Sequence, residues 1–393
     1  MTIPPGPAPR RVLAAIGGIY TAQSLIGGLT FVSVPTILRD RGIGLEQIGL
    51  VSLVMLPWAL KFLWAPWVEG LRRPRLMITI GEFLAALILL GIGLLGGGDT
   101  TSLLLCLAVL ALVAASVDIA CDSFLISHLD TARLGSGNVA QVGGGYLGLV
   151  FGGGLFTLIV ASWGWMAACG VLAAILAALS LPMALVAETR TESTHRPSLR
   201  DALKRPAIRA GILLTLCFES GGRVAMALGG PLLIDHGAPL SVVGAVNGLA
   251  GVAAGLAGAA LGGLAVRRLG SARAVQTLFL LHLASLSLLI LTVWRGVGWP
   301  GIVPALLLEN TVMAAGFVTL YARLMEKVSP RQPGVDFTLF QCTSVVAAVA
   351  GGMAGGWLAG QSGYTAALLT AAMLTAMGAA LARPLLAERR AAA

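Results

Sequence analysis

Long apolar runs dominate the chain, broken at intervals by short polar segments. A helix that crosses a bilayer needs about 20 mostly apolar residues. Val12–Leu38 contains no charge at all, and neither do the longer runs Asn138–Ala187 and Phe337–Ala382. The last two are each long enough for two crossings, so each must turn back on itself. Trp163-Gly164-Trp165 supplies an aromatic and glycine turn at the centre of one, and Gln361-Ser362-Gly363-Tyr364 stands at the centre of the other. The same reading of the remaining runs predicts twelve spans, near 12–37, 45–65, 76–96, 102–126, 138–160, 165–187, 208–230, 240–265, 274–294, 301–323, 336–359 and 364–386.

Composition agrees. Of the 393 residues, 57% are hydrophobic and 11% charged, against roughly 25% charged in a soluble domain. That excludes an ordinary cytosolic enzyme, a disordered chain and a nucleic-acid module. The net charge of +9 does not signal nucleic acid, because the basic residues stand between the apolar runs. With both termini in the cytoplasm, 21 of the 26 basic residues fall on that side. Arg39, Arg41 and Arg295 fall on the other, and Lys61 and Arg223 lie within spans. Under the positive-inside rule this asymmetry sets the orientation and an even number of crossings. Met1–Pro9 lacks the build of a signal peptide, so the first run is expected to remain as span 1. All five cysteines lie inside apolar runs, which suits neither a disulfide framework nor a metal cluster.

The halves repeat at an offset of 195 residues. Asp40-Arg41-Gly42 answers to Asp235-His236-Gly237, Leu45 and Gly49 to Leu240 and Gly244, and Arg72-Arg73 to Arg267-Arg268. Pro35 and Pro231 match with a one-residue slip. The expected domains are a six-helix bundle over 1–187, a cytoplasmic linker over 188–207 and a second six-helix bundle over 208–393. Within the linker, Ser198-Leu199-Arg200-Asp201 reads as a capping box that opens a short interfacial helix.

Two six-helix halves, each with an acidic-basic-glycine turn after its first helix, and a basic loop between helices 2 and 3 resemble the major facilitator superfamily. The resemblance covers the whole chain. It implies an all-α membrane protein of twelve transmembrane helices in two pseudo-symmetric bundles. Leu60-Lys61-Phe62-Leu63-Trp64-Ala65-Pro66-Trp67-Val68-Glu69 is similar to the end of helix 2 in the branch containing the muropeptide permeases. Asp118-Ile119-Ala120-Cys121-Asp122, followed by Leu134-Gly135-Ser136-Gly137 and a glycine-rich span 5, is similar to helices 4 and 5 of that branch. Muropeptide permeases usually carry two further helices, for which this chain has no room. The shorter twelve-span members are the bacterial siderophore importers of the rhizobactin and pyochelin type (the RhtX/FptX family). That resemblance implies uptake of an iron–siderophore complex across the inner membrane by a monomer.

The 52 glycines are concentrated in spans 5, 8 and 11 at spacings of three and four, which let helix backbones approach closely. In the superfamily, helices 5 and 8 face each other across the halves, as do 2 and 11. The stripes therefore suit a rocking, alternating-access motion, or else static packing.

Charges inside a bilayer cost roughly 2.5–3.5 kcal/mol each on insertion scales. Lys61, Glu82, Asp118, Asp122, Glu219, Arg223 and Glu309 therefore call for a role. Asp118 and Asp122, four apart, share a helix face and form with Lys61 a candidate proton-coupling or gating cluster; the alternative is a fixed ion pair. Glu219 and Arg223, also four apart, either neutralise each other or meet the substrate. Glu309 is read as a protonated acid or the partner of Arg223, and Glu82 as structural. His282, alone in span 9, is read as a satisfied or lipid-facing histidine. In the superfamily, spans 1, 4, 7 and 10 line the central cavity. A ferric siderophore there would need flat side chains and a few polar anchors. Candidates are Tyr20, Gln23, Phe31, Trp58, Phe218, Glu219, Arg223, Asn310, Phe317, Tyr321 and Gln341. No metal ligand set or cofactor is expected, because the chelator holds the iron.

No Gly-x-x-x-x-Gly-Lys-[Ser/Thr] loop is present, so energy must come from a gradient, with protons the expected coupling ion, or from a partner. A membrane enzyme would need a clustered His/Asp or Ser/His set. The four histidines are dispersed, and His128-Leu129-Asp130 is the nearest approach to one. Drug/proton antiporters of the superfamily usually carry a proline in a glycine-rich helix 5. Span 5 has none, which favours uptake over efflux.

Overall fold

The computed structural model describes residues 10–70, 73–96, 100–128, 143–184, 198–329 and 333–386. The Leu134–Gly137 stretch and linker residues 188–197 lie outside them. Among the described residues every regular element is helical. Ten helices are α1 (Val12–Asp40), α2 (Leu45–Leu63), α3 (Pro74–Leu94), α4 (Thr100–His128), α5 (Gly143–Trp163), α6 (Trp165–Met183), α7 (Pro206–Asp235), α8 (Leu240–Leu269), α9 (Ser271–Trp294) and α10 (Trp299–Met325). Their outward faces carry large apolar side chains, as a lipid solvent demands, with Trp163 and Trp294 exposed at helix ends.

The remaining helical stretch, Val335–Leu386, has 52 residues. As one straight helix it would run roughly 78 Å at 1.5 Å per residue, more than twice the apolar thickness of about 30 Å. Gly363 interrupts it with a φ of 81°, a value open to glycine without strain. It divides α11 (335–362) from α12 (364–386). Ser344 and Gly355 of α11 lie beside Glu219 and Val224 of α7, so these two helices run parallel. Tyr364, Thr375 and Gly378 of α12 lie beside Asp235, Gly221 and Cys217, so α12 runs back along α7. The hairpin gives the twelve crossings expected from sequence.

The internal repeat is visible in the backbone. α1 and α7 end in the same cap. Gly42 and Gly237 have φ of 83° and 84°. The Ile43 N–H reaches the Leu38 carbonyl at 3.0 Å, and the Ala238 N–H reaches Leu233 at 2.9 Å, the hydrogen bond of a Schellman cap in each. The next helices begin at Leu45 and Leu240, each offset from its counterpart by the same 195 residues. Further positive-φ glycines fall at Gly96 and Gly296 after α3 and α9, and at Gly164 and Gly363 before α6 and α12.

Two compact units result, Met1–Val34 with Leu60–Thr194, and Pro35–Ala59 with His195–Ala393. They do not follow the sequence halves strictly, since the end of α1 and most of α2 pack with the second. The first unit has a core of Ile16, Ile19, Ile78, Val117, Phe124 and Met183. Its α1 and α5 both carry a π-helical turn, Leu29–Ser33 and Val150–Leu155. The turns meet where Ser33 Oγ lies 2.6 Å from the Gly152 carbonyl and 2.8 Å from Thr157 Oγ1. The second unit has one core around Phe218, Phe279, Leu320, Leu324 and Phe340 and another around Leu232, Leu233, Val243, Leu286 and Ile302.

The glycine stripes have assignable neighbours. A Cβ on Gly144, Gly148 or Gly152 of α5 would stand within 2.5 Å of an α1 carbonyl oxygen. One on Gly258 or Gly262 of α8 would strike α10, so these positions pack within a unit, the static-packing alternative for the stripes. Gly49 of α2 meets Gly352 and Gly356 of α11, the pairing expected of helices 2 and 11. The linker ends in the short helix Leu199–Lys204, where Ser198 Oγ accepts the Asp201 N–H at 3.2 Å. Arg205, just beyond it, pairs with buried Asp336 and donates to the Lys327 carbonyl at 3.2 Å.

Candidate functional site

The most developed polar group lies in the second unit on α7, α10 and α11. Glu219 and Arg223 are one helical turn apart and therefore share a face of α7. Arg223 Nε and Nη2 both donate to Glu219 Oε2, at 2.9 and 2.7 Å. Ser344 of α11 sits between them. It accepts from Arg223 Nη2 at 2.7 Å and donates to Glu219 Oε2 at 2.6 Å. Small residues allow this approach, because a Cβ on Gly351 would stand 2.7 Å from Arg223 Cβ. Glu219 is wholly buried, and its other oxygen, Oε1, has no partner among the described residues.

Arg223 also lies over an aromatic face. Its guanidinium carbon is 4.8 Å from the Phe317 ring centroid, within cation–π range. Phe317 stacks on Tyr321 at 6.3 Å, and Tyr321 meets Phe337 edge-on at 5.8 Å. The four-residue spacing of Phe317 and Tyr321 on α10 aligns the two rings. The charges of Glu219 and Arg223 cancel, yet one edge remains unspent: Arg223 Nη1 takes no acceptor among the described residues, and a fifth of the side chain is exposed. A cationic hydrogen-bond donor beside a flat aromatic wall can receive an anionic, ring-bearing solute.

Further polar contacts are resolved in both units. In the first unit, Lys61 Nζ donates to Asp118 Oδ2 at 2.5 Å, with Lys61 almost fully buried. Trp64 Nε1 donates to Ser116 Oγ at 3.2 Å, three residues on from Lys61 and two before Asp118. This is the pairing expected of Lys61. Asp122 follows on α4, but its side chain lies outside the described residues. In the second unit, Arg39 of α1 pairs with Asp235 of α7, and Gln361 of α11 donates to Glu46 of α2 at 2.5 Å. Also in that unit, His282 of α9 faces Glu309 of α10 with Nε2 and Oε1 2.8 Å apart.

That last pair excludes one alternative in each of two expectations. Glu309 pairs with His282 and is not the partner of Arg223, whose Nε and Nη2 bond Glu219 and Ser344. His282 is not a solitary lipid-facing histidine, since both it and Glu309 are buried and adjacent. The spacing on α7 makes Glu219 the local acceptor, and the packing of α9 on α10 brings His282 to Glu309. A histidine in one span and a glutamate in the next carry no mutual signal in a single sequence.

Phe218 is also corrected: its ring is fully buried, edge-on to Phe279 at 4.8 Å, and fills the space at Gly316, so it is a core side chain. Asn310 and Gln341 are half-buried and make no hydrogen bond to a described residue. The Trp58 carbonyl accepts weakly from Cys342 Sγ at 3.8 Å. Tyr20, Gln23 and Phe31 belong to the first unit; Tyr20 packs on its core, and Gln23 Oε1 is buried without a partner among the described residues. Glu82 is buried, and neither of its oxygens has a partner among the described residues. Ser344 and Phe337 were missed from sequence, because one serine or phenylalanine in an apolar run does not distinguish itself from packing.

Comparison with known proteins agrees with this architecture. The sequence model of the Major Facilitator Superfamily matches residues 16–348. Two crystal structures of a bacterial homologue of the human lysosomal transporter Spinster share the fold at 16% identity. The inward-facing unoccupied form gives a TM-score of 0.71 over 97% of this chain and 98% of that one. The inward-facing occupied form gives 0.75 over 97% of both. A protein of Haemophilus influenzae, itself described only as uncharacterised, is 29% identical over 140 residues, 33% of this chain and 32% of that relative. The match thus spans about a third of that relative's length.

Proposed function

The chain belongs to the major facilitator superfamily of membrane transporters, and from that premise we propose that it imports an iron–siderophore complex of the pyochelin class across the bacterial inner membrane. It does so as a proton-coupled secondary transporter, with both termini in the cytoplasm, by alternating access between two pseudo-symmetric bundles. The observation that carries the substrate class is Arg223, stacked on Phe317 with Nη1 uncommitted beside Tyr321. A siderophore is an aromatic or hydroxy-acid chelator around a ferric ion, and its rim offers both an anionic oxygen and a flat ring. The cation–π contact holds the guanidinium so that its free edge is presented without further ordering. The sequence has no nucleotide-binding loop, so the energy comes from a gradient or a partner, and the proposed importer takes it from a proton gradient.

A second reading, muropeptide uptake, draws on the Lys61–Glu69 stretch. One experiment separates the two. A strain lacking this gene is loaded with radiolabelled ferric pyochelin, with and without a protonophore, and with muropeptide as competitor. Gene-dependent, protonophore-sensitive accumulation that muropeptide does not reduce supports the importer. Gene-dependent accumulation of labelled muropeptide with none of the ferric chelate overturns it.

A further inference from the structure

Protons can be counted at the α9–α10 contact. Ser285 Oγ lies within hydrogen-bond distance of Glu309 Oε2 and is 3.0 Å from the His282 carbonyl oxygen. A hydroxyl has one proton, and a carbonyl only accepts. Ser285 therefore either donates to Glu309 Oε2 or, where that acid carries a proton, accepts from it and donates to the His282 carbonyl. The second arrangement satisfies all three groups and places the proton on Glu309.

Three further observations agree. The site is shut away from solvent: His282, Ser285 and Glu309 are 0%, 2% and 1% exposed. Second, a bare carboxylate in such a place costs far more than a neutral acid or an ion pair. His282 Nε2 and Glu309 Oε1 are 2.8 Å apart, so one extra proton, on either group, makes the pair neutral. Third, the imidazole is not locked. Nε2 has no aligned hydrogen bond despite that closeness, and Nδ1, equally buried, has no partner among the described residues. A histidine with a fixed structural role normally has its tautomer set by a bond at the second nitrogen.

Among the described residues, no other charged side chain is bonded to the pair. α7 turns Phe218 and Gly222 toward the His282 ring, while its Glu219 and Arg223 are bonded to each other and to Ser344 of α11. α9 and α8 carry Arg273, Arg267 and Arg268 only at their helix ends. On α10, Arg323 is held by Glu326. On α11 and α12, Asp336 is held by Arg205, Tyr364 donates to Asp235, and Arg383 lies near the end of the helix.

We propose that His282, Ser285 and Glu309 form a proton-binding site buried between α9 and α10, loaded in this conformation with one proton that it releases to solvent as a net loss of one positive charge. That this proton drives transport rests on the reading of the chain as a proton-coupled importer; that the site binds it does not. The test therefore contains no siderophore. Infrared difference spectra of the purified protein in lipid are recorded as pH is raised. Wild type is expected to lose a protonated-carboxyl band that Glu309→Gln lacks at every pH. Ser285→Ala, a small change, should shift the band's frequency, and His282→Gln should move its midpoint. Glu82→Gln identifies any band from the other unpartnered acid. The same titrating band in Glu309→Gln, or no movement of frequency or midpoint in Ser285→Ala and His282→Gln, overturns the proposal. In proteoliposomes, Glu309→Gln should then abolish gradient-driven accumulation of ferric pyochelin while leaving counterflow intact. Equal loss of both would mean that the site does not couple.

Discussion

Arg39 and Asp235 lie 196 positions apart in the sequence and meet through two parallel hydrogen bonds, Nε to Oδ1 and Nη2 to Oδ2, each 2.6 Å long. Asp235 is the repeat counterpart of Asp40, the neighbour of Arg39, so the end of α1 is bonded to the end of its own duplicate. Tyr364 adds a third donor to the carboxylate at 2.7 Å. The fork geometry favours the pair, but about a quarter of each side chain is exposed, which screens it. A double-mutant cycle of Arg39→Ala and Asp235→Ala, followed by denaturation in detergent, should give a coupling of about 1 kcal/mol. Additive losses would mean that the contact contributes nothing to stability.

The glycine positions make opposite predictions although their sequence contexts look alike. A Cβ on Gly152 would stand 1.9 Å from the Leu25 carbonyl oxygen, so Gly152→Ala must push α5 off α1. Overpacking of this kind costs about 1–3 kcal/mol. Gly27, on α1 itself, has nothing within 4 Å of its Cβ position. Gly27→Ala should therefore be neutral or stabilising by up to about 1 kcal/mol, the helix-propensity difference. Thermal unfolding of the two variants in one detergent decides the matter.

Those two glycines also show what a single sequence conveys. Apolar run lengths and charge asymmetry carried the crossings, the duplication and the turn at Gly363, because each follows from the bilayer as solvent or from local backbone chemistry. Neighbours one turn apart, such as Glu219 and Arg223, were legible for the same reason. Contacts between helices were less so. Lys61 with Asp118 was readable from similar depth, whereas His282 with Glu309 needed the rotation of α9 about its axis, which a uniformly apolar helix does not reveal. The packing partners of the glycine stripes were hidden likewise: a stripe says that something comes close and not what.

Lys61 and Asp118 should behave as a buried pair. Asp118→Asn removes the carboxylate to which the buried Lys61 ammonium donates, and breaking a buried pair costs about 3–5 kcal/mol. The double variant Lys61→Met/Asp118→Leu removes both charges and should recover most of that loss, as apolar replacement of a buried pair often does. Stability in detergent gives the first comparison. Transport gives the second: Asp118→Asn is expected to slow ferric-siderophore accumulation far more than it weakens binding. Equal loss of both would make Asp118 a substrate contact.

Arg223 is where substrate binding and structural pairing can be told apart. Arg223→Ala strands the Glu219 carboxylate in a buried site, so a loss of folded protein would say little about the solute. Arg223→Lys keeps the charge near Glu219 but replaces the planar fork, its uncommitted edge and its stacking on Phe317 with a point charge. If the free edge receives an anionic ring-bearing solute, the lysine variant should insert normally and bind ferric pyochelin more weakly by about 1–2 kcal/mol, the scale of a desolvated cation–π contact with a charged hydrogen bond. Phe317→Leu should weaken binding too, because it removes the surface that orients the guanidinium, and should add little to Arg223→Lys when the two are combined. Binding is read by tryptophan fluorescence quenching on protein whose melting profile matches wild type. Unchanged affinity in both single variants would mark the Glu219–Arg223–Ser344 group as a structural clasp and move the search for the solute site to other residues.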